Sequence, residues 1–184
     1  MDLKDRAKKI KVIAFDVDGV LTDGGIYTGA DGEIFKPFHC RDGLGISLAR
    51  NAGLKLAIIT GRKSPQVAYR AKELKFDALW QGVMDKREAY KELKEKFSAT
   101  DEEICYVGDD LIDLPILTQV GLAAAVADAM PEVIERVHYV AKFSGGHGAA
   151  RDVIECILKA QGKWEGIIEG YLAKVSPKQE KINQ

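Results

Sequence analysis

Val12-Ile13-Ala14-Phe15-Asp16-Val17-Asp18-Gly19-Val20-Leu21-Thr22-Asp23 decides the fold, because an apolar, partly β-branched run breaks abruptly into carboxylates at positions i and i+2. Such a run reads as a buried strand that delivers charge at its C-terminal end, where open α/β sheets keep their sites. Side-chain alternation puts Asp16 and Asp18 on one side of the chain with Val17 opposite, and Gly19 lets the backbone turn without a side chain in the way. Two acids at a strand tip can share a cation, or divide the work of nucleophile and general acid/base. They can equally do no more than cap the next turn.

Working outward, the same pattern recurs. Leu56-Ala57-Ile58-Ile59-Thr60-Gly61-Arg62 is an apolar strand that ends in a hydroxyl, a glycine and a cation. Lys86 opens the helix-forming run Asp85-Lys86-Arg87-Glu88-Ala89-Tyr90-Lys91, and Ile104-Cys105-Tyr106-Val107-Gly108-Asp109-Asp110-Leu111-Ile112-Asp113-Leu114-Pro115 is another buried strand that breaks into acids. Strands are expected near 11–16, 54–59, 77–80, 104–107, 122–126 and 138–141, with helices near 42–52, 64–75, 86–97, 110–119, 130–136, 148–160 and 163–173. Strand and helix in turn imply right-handed crossovers, hence an α/β fold with a Rossmann-like parallel sheet and helices on both faces. Ser64-Pro65 and Pro131 mark helix starts, and Thr100-x-x-Glu103 is a capping box leading into the fourth strand.

One stretch interrupts the alternation. Residues 25–38 read as two short strands around Gly29-Ala30-Asp31-Gly32, a β-hairpin inserted after the first strand. With Ile26, Tyr27, Ile34, Phe35 and Phe38 it carries too much apolar surface to stand in water alone. No segment between Trp80 and Lys86 is long enough for a cap domain, so the site has no cap of its own. The chain is expected to form a single domain over 1–184, with the hairpin at about 25–38 and C-terminal helices and a fraying polar tail at about 148–184.

Composition excludes several classes. The 184 residues are 46% apolar, enough for one full core. Twenty-seven basic against 28 acidic residues, a net charge of −1, argue against nucleic acid or a membrane surface as the main partner. No apolar stretch reaches the roughly 18 residues that a membrane span needs. The charged N-terminus Met1–Lys9 lacks a signal-peptide core, and the expected location is cytoplasmic. Cys40, Cys105 and Cys156 are odd in number and widely spaced, which opposes both a disulfide framework and zinc; they read as reduced and structural.

In order and spacing, Asp16-x-Asp18, Thr60, Lys86 and Gly108-Asp109-Asp110-x-x-Asp113 resemble the four-part signature of the haloacid dehalogenase superfamily. Asp16–Gly24, Phe38-His39-Cys40-Arg41-Asp42-Gly43, Gly108–Pro115 and Gly145-Gly146-His147-Gly148-Ala149-Ala150-Arg151 further resemble the 3-deoxy-D-manno-octulosonate 8-phosphate phosphatases, over roughly Lys11 to Gly162. Cys40 departs from the aliphatic residue common at its position, and is expected to pack as a small hydrophobe. The resemblance implies a phosphatase acting on a small phosphorylated acid sugar on the route to lipopolysaccharide. Asp16 is then the nucleophile, and Asp18 the acid that protonates the leaving oxygen and the base that activates water. Thr60 and Lys86 bind the phosphoryl oxygens. Mg²⁺ is bound by Asp16, Asp109 and the backbone carbonyl of Asp18, while Asp110 and Asp113 steer metal-bound water or Lys86. The rest of the substrate falls to Asp18, His39, Arg41, Asp42, Gly43, Arg62, Arg70 and Lys86, with Arg151 a further cation near the glycine loop. Relatives form homotetramers whose hairpins meet and whose neighbouring subunits wall each site.

Three other readings stay open. The same chemistry serves another acid sugar, such as a nonulosonate 9-phosphate, or a broad range of sugar phosphates. Receiver domains also set strand-end aspartates, Thr and Lys on a parallel sheet, but their acidic pair lies on a different strand from the phospho-accepting Asp. An inactive assembly module requires a lost motif, and none is lost.

Overall fold

The computed structural model describes residues 1–175; the tail expected from Ser176 onward lies outside the described residues. In chain order the elements are α1 (Leu3–Lys9), β1 (Val12–Phe15), β2 (Tyr27–Gly29), β3 (Gly32–Phe35), α2 (Cys40–Asn51), β4 (Lys55–Thr60), α3 (Pro65–Glu73), β5 (Ala78–Gln81) and α4 (Lys86–Phe97). There follow β6 (Ile104–Gly108), α5 (Leu114–Leu117), β7 (Leu122–Ala125), α6 (Pro131–Ile134), β8 (Tyr139–Val140), α7 (Ala149–Ala160) and α8 (Trp164–Val175). Six strands form one sheet in the order β5-β4-β1-β6-β7-β8, every pair parallel. The hairpin β2–β3 stands apart as a small antiparallel sheet.

The order is that of a doubly wound sheet, and it changes direction between β1 and β6. Strand ends splay apart at such a switch point and leave a crevice at their C-terminal edge. The sequence has put its acids there, after β1 and after β6. Both strands are buried along their whole length, and Ile13, Phe15, Ile104 and Val107 are 0% exposed. Each such side chain removed from water contributes roughly 1.5–3 kcal/mol, so the platform under the site is rigid. Helices α1, α2 and α8 pack on α7, while α4 packs on β4 and α5.

The expected strands and the hairpin turn are present, with Pro65 and Pro131 opening α3 and α6 and the Thr100/Glu103 capping box formed. Three features differ. Helix α1 lies outside the expected elements, since it is two turns long and rich in charge, and its apolar positions are limited to Leu3, Ala7 and the C-cap Ile10, which pack on the core; Asp2 caps it by accepting from Asp5 N at 2.7 Å. The helix expected over 110–119 divides into a 3₁₀ turn at Leu111–Asp113 and α5, because Asp110 and Asp113 form a capping box that tightens the first turn. Cys40 is exposed rather than packed, on the outer side of the first turn of α2.

Candidate active site

At the switch point Asp16 extends the β1 ladder, its amide donating to Val107 O at 3.0 Å. Its carboxylate faces Lys86, the first residue of α4, whose Nζ lies 3.0 Å from Asp16 Oδ1 and 2.6 Å from Asp113 Oδ1. Lysine is almost never fully buried unless paired, and here it is 0% exposed between two carboxylates. Burial alone would lower its pKa, but Asp16 and Asp113 outweigh that and hold it above the ordinary lysine value. Tyr106, fully buried on β6, accepts from Lys86 Nζ at 3.0 Å and donates to Asp113 Oδ1 at 2.7 Å.

Asp113 Oδ2 accepts from the amides of Asp109 (2.9 Å) and Asp110 (3.3 Å). Both Asp113 oxygens are therefore occupied, and its carboxylate orients Lys86 and the loop after β6. Asp16, Asp109 and Asp113 bring carboxylate oxygens within 4.8 Å of one another. Within that group, Asp16 Oδ1 and Asp109 Oδ1 are buried without an aligned hydrogen-bond donor. Burial first, then the Asp113 charge, raises the Asp16 pKa to about 6 against the pull of Lys86. Burial, followed by Asp113, Asp16 and Asp110, raises Asp109 to about 8. Crowded carboxylates that one lysine cannot neutralise, with Asp109 Oδ1 lacking any donor, fit a hard divalent cation, which lets both groups stay ionised. Gly19, at φ +85°, makes the approach possible: any Cβ there would overlap the Asp109 carboxylate.

Tyr106→Phe tests the buried network without altering its shape. It leaves Lys86 one acceptor short and Asp113 one donor short. The expected result is a stability loss of about 1–2 kcal/mol, read from urea unfolding. Unchanged stability would show that the hydroxyl contributes nothing there.

Thr60 closes β4 in the same crevice and is 1% exposed. Asp18 sits at the mouth. Its Oδ2 lies 3.7 Å from Arg62 Nε and its Oδ1 is hydrogen-bonded to Lys36 Nζ. Lys36 and its partner Glu33, 2.9 Å away, come from the hairpin and were not picked out from sequence. Lys36 reads there as a solvated lysine at a strand end, yet its side chain is 1% exposed. The only sequence signal is the i,i+3 spacing of Glu33 and Lys36 beside Pro37.

The other candidate residues divide. His39 and Arg41 stand at the start of α2; Arg41 is exposed, and the His39 ring lies 6.3 Å from His147. Arg70 pairs with Glu73 at 2.6 Å and lies over the Phe38 ring, and Gly43 gives it room because a Cβ there would meet its guanidinium. Asp42, beside His39 and Arg41, is buried and accepts from Gly148 N (3.2 Å) and Arg151 N (2.8 Å), which anchors the start of α7. Arg151 likewise turns to its own helix, bonding Glu155 at 2.7 Å and lying over the Trp164 ring. Asp110 caps the 3₁₀ turn by accepting from Leu111 N at 2.6 Å. His147 Nδ1 lies 2.7 Å from Gly145 O, and His138 Nδ1 accepts from Ala123 N.

A family model for haloacid dehalogenase-like hydrolases matches residues 79–152, which agrees with a doubly wound sheet carrying acids at its switch point. The 3-deoxy-D-manno-octulosonate 8-phosphate phosphatase KdsC of Escherichia coli K12 is 47% identical over 88% of this chain and 86% of its own length. The crystal structure of the Yersinia pestis phosphatase of that name superposes with a TM-score of 0.88 at 46% identity, covering 90% of this chain and 89% of that one. The Moraxella catarrhalis phosphatase, solved with magnesium, phosphate and a KDO molecule, gives a TM-score of 0.89 at 39% identity over 91% of this chain and 97% of that one. The chain belongs to the 3-deoxy-D-manno-octulosonate 8-phosphate phosphatase family.

Proposed function

We propose that this chain, acting as a single domain over 1–184, hydrolyses 3-deoxy-D-manno-octulosonate 8-phosphate to the free sugar acid and phosphate with Mg²⁺, in the cytoplasm, on the route to lipopolysaccharide. One observation carries the reading: two buried carboxylates, Asp16 and Asp109, meet beside a buried lysine at the switch point, Asp16 ion-paired to Lys86 at 3.0 Å and Asp109 Oδ1 left without a hydrogen-bond partner. Asp16 attacks phosphorus in line; its oxygen bonds to phosphorus as the bond to the sugar oxygen breaks, and Asp18 gives that oxygen its proton. Asp18 then takes a proton from the water that opens the aspartyl-phosphate, restoring Asp16 and releasing phosphate. Lys86 and Thr60 hold the equatorial phosphoryl oxygens. Asp16, Asp109 and the Asp18 carbonyl hold Mg²⁺, which offsets the repulsion between carboxylate and phosphate dianion. His39, Arg41, Arg62 and Arg70 supply donors for the sugar acid at the mouth. Phosphate release across a panel of sugar phosphates, with Mg²⁺ or EDTA, tests the reading. The eight-carbon ester should give the highest kcat/KM. Preference for a nonulosonate 9-phosphate would change the substrate, and no turnover of any ester with Mg²⁺ would end the proposal.

The proposal includes a homotetramer. Ile26, Tyr27, Ile34 and Phe35 are all at least 37% exposed, with Tyr27 and Phe35 stacked at 4.4 Å between centroids. Exposed apolar surface of this kind favours association. Phe35→Asp should lower the assembly state in light scattering and raise KM for the acid sugar phosphate, leaving p-nitrophenyl phosphate turnover nearly unchanged. A wild-type monomer would refute it.

A further inference from the structure

Beyond the packing of Phe38 on the core, the hairpin is tied to its own subunit by polar contacts, and these close on the group assigned to proton transfer. Asp18 Oδ1 bonds Lys36 Nζ; Lys36 Nζ lies 2.9 Å from Glu33 Oε1; Glu33 Oε1 lies 3.6 Å from an Arg62 Nη; and Arg62 Nε lies 3.7 Å from Asp18 Oδ2. Four side chains of alternating charge thus form a closed ring. Ser64 Oγ, from the loop before α3, donates to Glu33 Oε2 at 2.5 Å, and Gln66 Nε2 donates to the carbonyls of Glu33 and Ile34. The ring is tied to the loops after β1 and β4 and, through Ser64 and Gln66, to the start of α3, while Ile34 is left 62% exposed and Phe35 48% exposed.

The members differ in exposure, and the difference assigns their roles. Arg62 is 46% exposed and can turn toward an incoming anion, whereas the Lys36 side chain is 1% exposed and the Glu33 side chain 12%. A carboxylate that must give and take a proton along one line needs a fixed orientation, because misplacement by about 1 Å costs large factors in rate. Arg62, at 3.7 Å and half in water, fixes little. Lys36 is desolvated, bonded to one Asp18 oxygen and held from behind by Glu33.

We infer that Lys36 is a positioning residue for this reaction: through its hydrogen bond to Asp18 Oδ1 it aims the acid/base carboxylate, so placement of the hairpin and proton transfer to the leaving oxygen are coupled. The inference rests on the proton-transfer role proposed for Asp18, and the test separates the two. Lys36→Met and Asp18→Asn are compared on two esters. The sugar phosphate must leave as a protonated alcohol. p-Nitrophenyl phosphate leaves as a stabilised phenolate that needs no proton, and its kcat/KM reports only steps up to that departure.

Lys36→Met should lower kcat for the sugar phosphate at least about tenfold with KM within about twofold, and kcat/KM for p-nitrophenyl phosphate by less than about threefold. Asp18→Asn should show the same contrast, larger. If Asp18→Asn lowers kcat/KM for both esters equally, the role of Asp18 fails and the inference falls with it. If Asp18→Asn shows the contrast but Lys36→Met lowers both esters equally, or changes only KM, Lys36 is structural or a substrate contact and the inference alone is overturned. Light scattering checks that the assembly state of Lys36→Met is that of the parent. Should Lys36→Met not fold, Glu33→Gln keeps Lys36 and loosens its hold, and a uniform loss on both esters in that variant overturns the inference.

Discussion

Asp16→Asn should lower phosphate release at least about ten-thousandfold, because a carboxamide cannot form the acyl-phosphate and no other acid stands in its place. The substitution preserves shape, and its effect on folding has the opposite sign from its effect on rate. Asp16 has a folded pKa of about 6 against an ordinary value of 3.8, raised first by burial and then by Asp113. A carboxyl whose pKa is raised by folding favours the folded state below its unfolded pKa and loses that contribution as pH rises through the folded value. Near neutral pH, without metal, Asp16 therefore costs stability, and replacing it with a neutral isostere removes the cost. Lys86 keeps Asp113 and Tyr106 as partners. The expected pair of results at about pH 8 without Mg²⁺ is an inactive protein at least as stable as the parent, measured by urea unfolding alongside phosphate release. Residual activity within about tenfold of the parent would exclude Asp16 as nucleophile.

The pairing of lost chemistry with kept stability marks what the sequence does and does not disclose. Asp16, Thr60 and Asp109 are legible because each ends a buried strand, and a change from apolar to polar at a strand end is local information. The hairpin is legible for the same reason, through its Gly-Ala-Asp-Gly turn. Strand order is not, since pairing β1 with β6 joins residues some ninety positions apart, as at Val12 and Ile104. Contacts fixed by that topology are equally hidden. Lys86 meets Asp113, and Glu33 meets Ser64, only after the sheet has formed. Lys36 is the sharpest case, because lysine type predicts solvent and burial by a charged ring reverses it. Asp42 hides a contact of the same kind: its carboxylate also holds the start of a helix more than a hundred positions away, which no local pattern announces. Helix α1 is hard to read because it is only two turns long and its three apolar positions, Leu3, Ala7 and the C-cap Ile10, are set among charged residues.

Metal and protons should compete for the same two carboxylates, and that competition sets the second large effect. Asp16 and Asp109, at about 6 and about 8 without metal, both lie above the ordinary 3.8. The sign is the same for both: their contribution to stability is present below about pH 4 and is lost as pH rises, through about 6 for Asp16 and about 8 for Asp109. The metal-free protein should accordingly lose stability between about pH 5.5 and 8.5 as negative charge accumulates against Asp113. Mg²⁺ binds the ionised pair, so its apparent affinity and the rise in Tm it produces should both grow over that interval and level off above it. Asp109→Ala removes one ligand and the charge that titrates last. Its Mg²⁺ requirement should rise more than about a hundredfold, and its metal-free stability should fall less steeply with pH. Ca²⁺ separates binding from catalysis: it should raise Tm, yet inhibit turnover, because its larger and looser shell misplaces the nucleophile relative to phosphorus. Thermal unfolding at about pH 5.5, 7 and 8.5, with Mg²⁺, Ca²⁺ or EDTA, supplies every comparison. A Mg²⁺-induced rise in Tm that is equal at all three pH values would mean that Asp16 and Asp109 do not titrate against the metal, and full activity in EDTA would remove Mg²⁺ from the reaction.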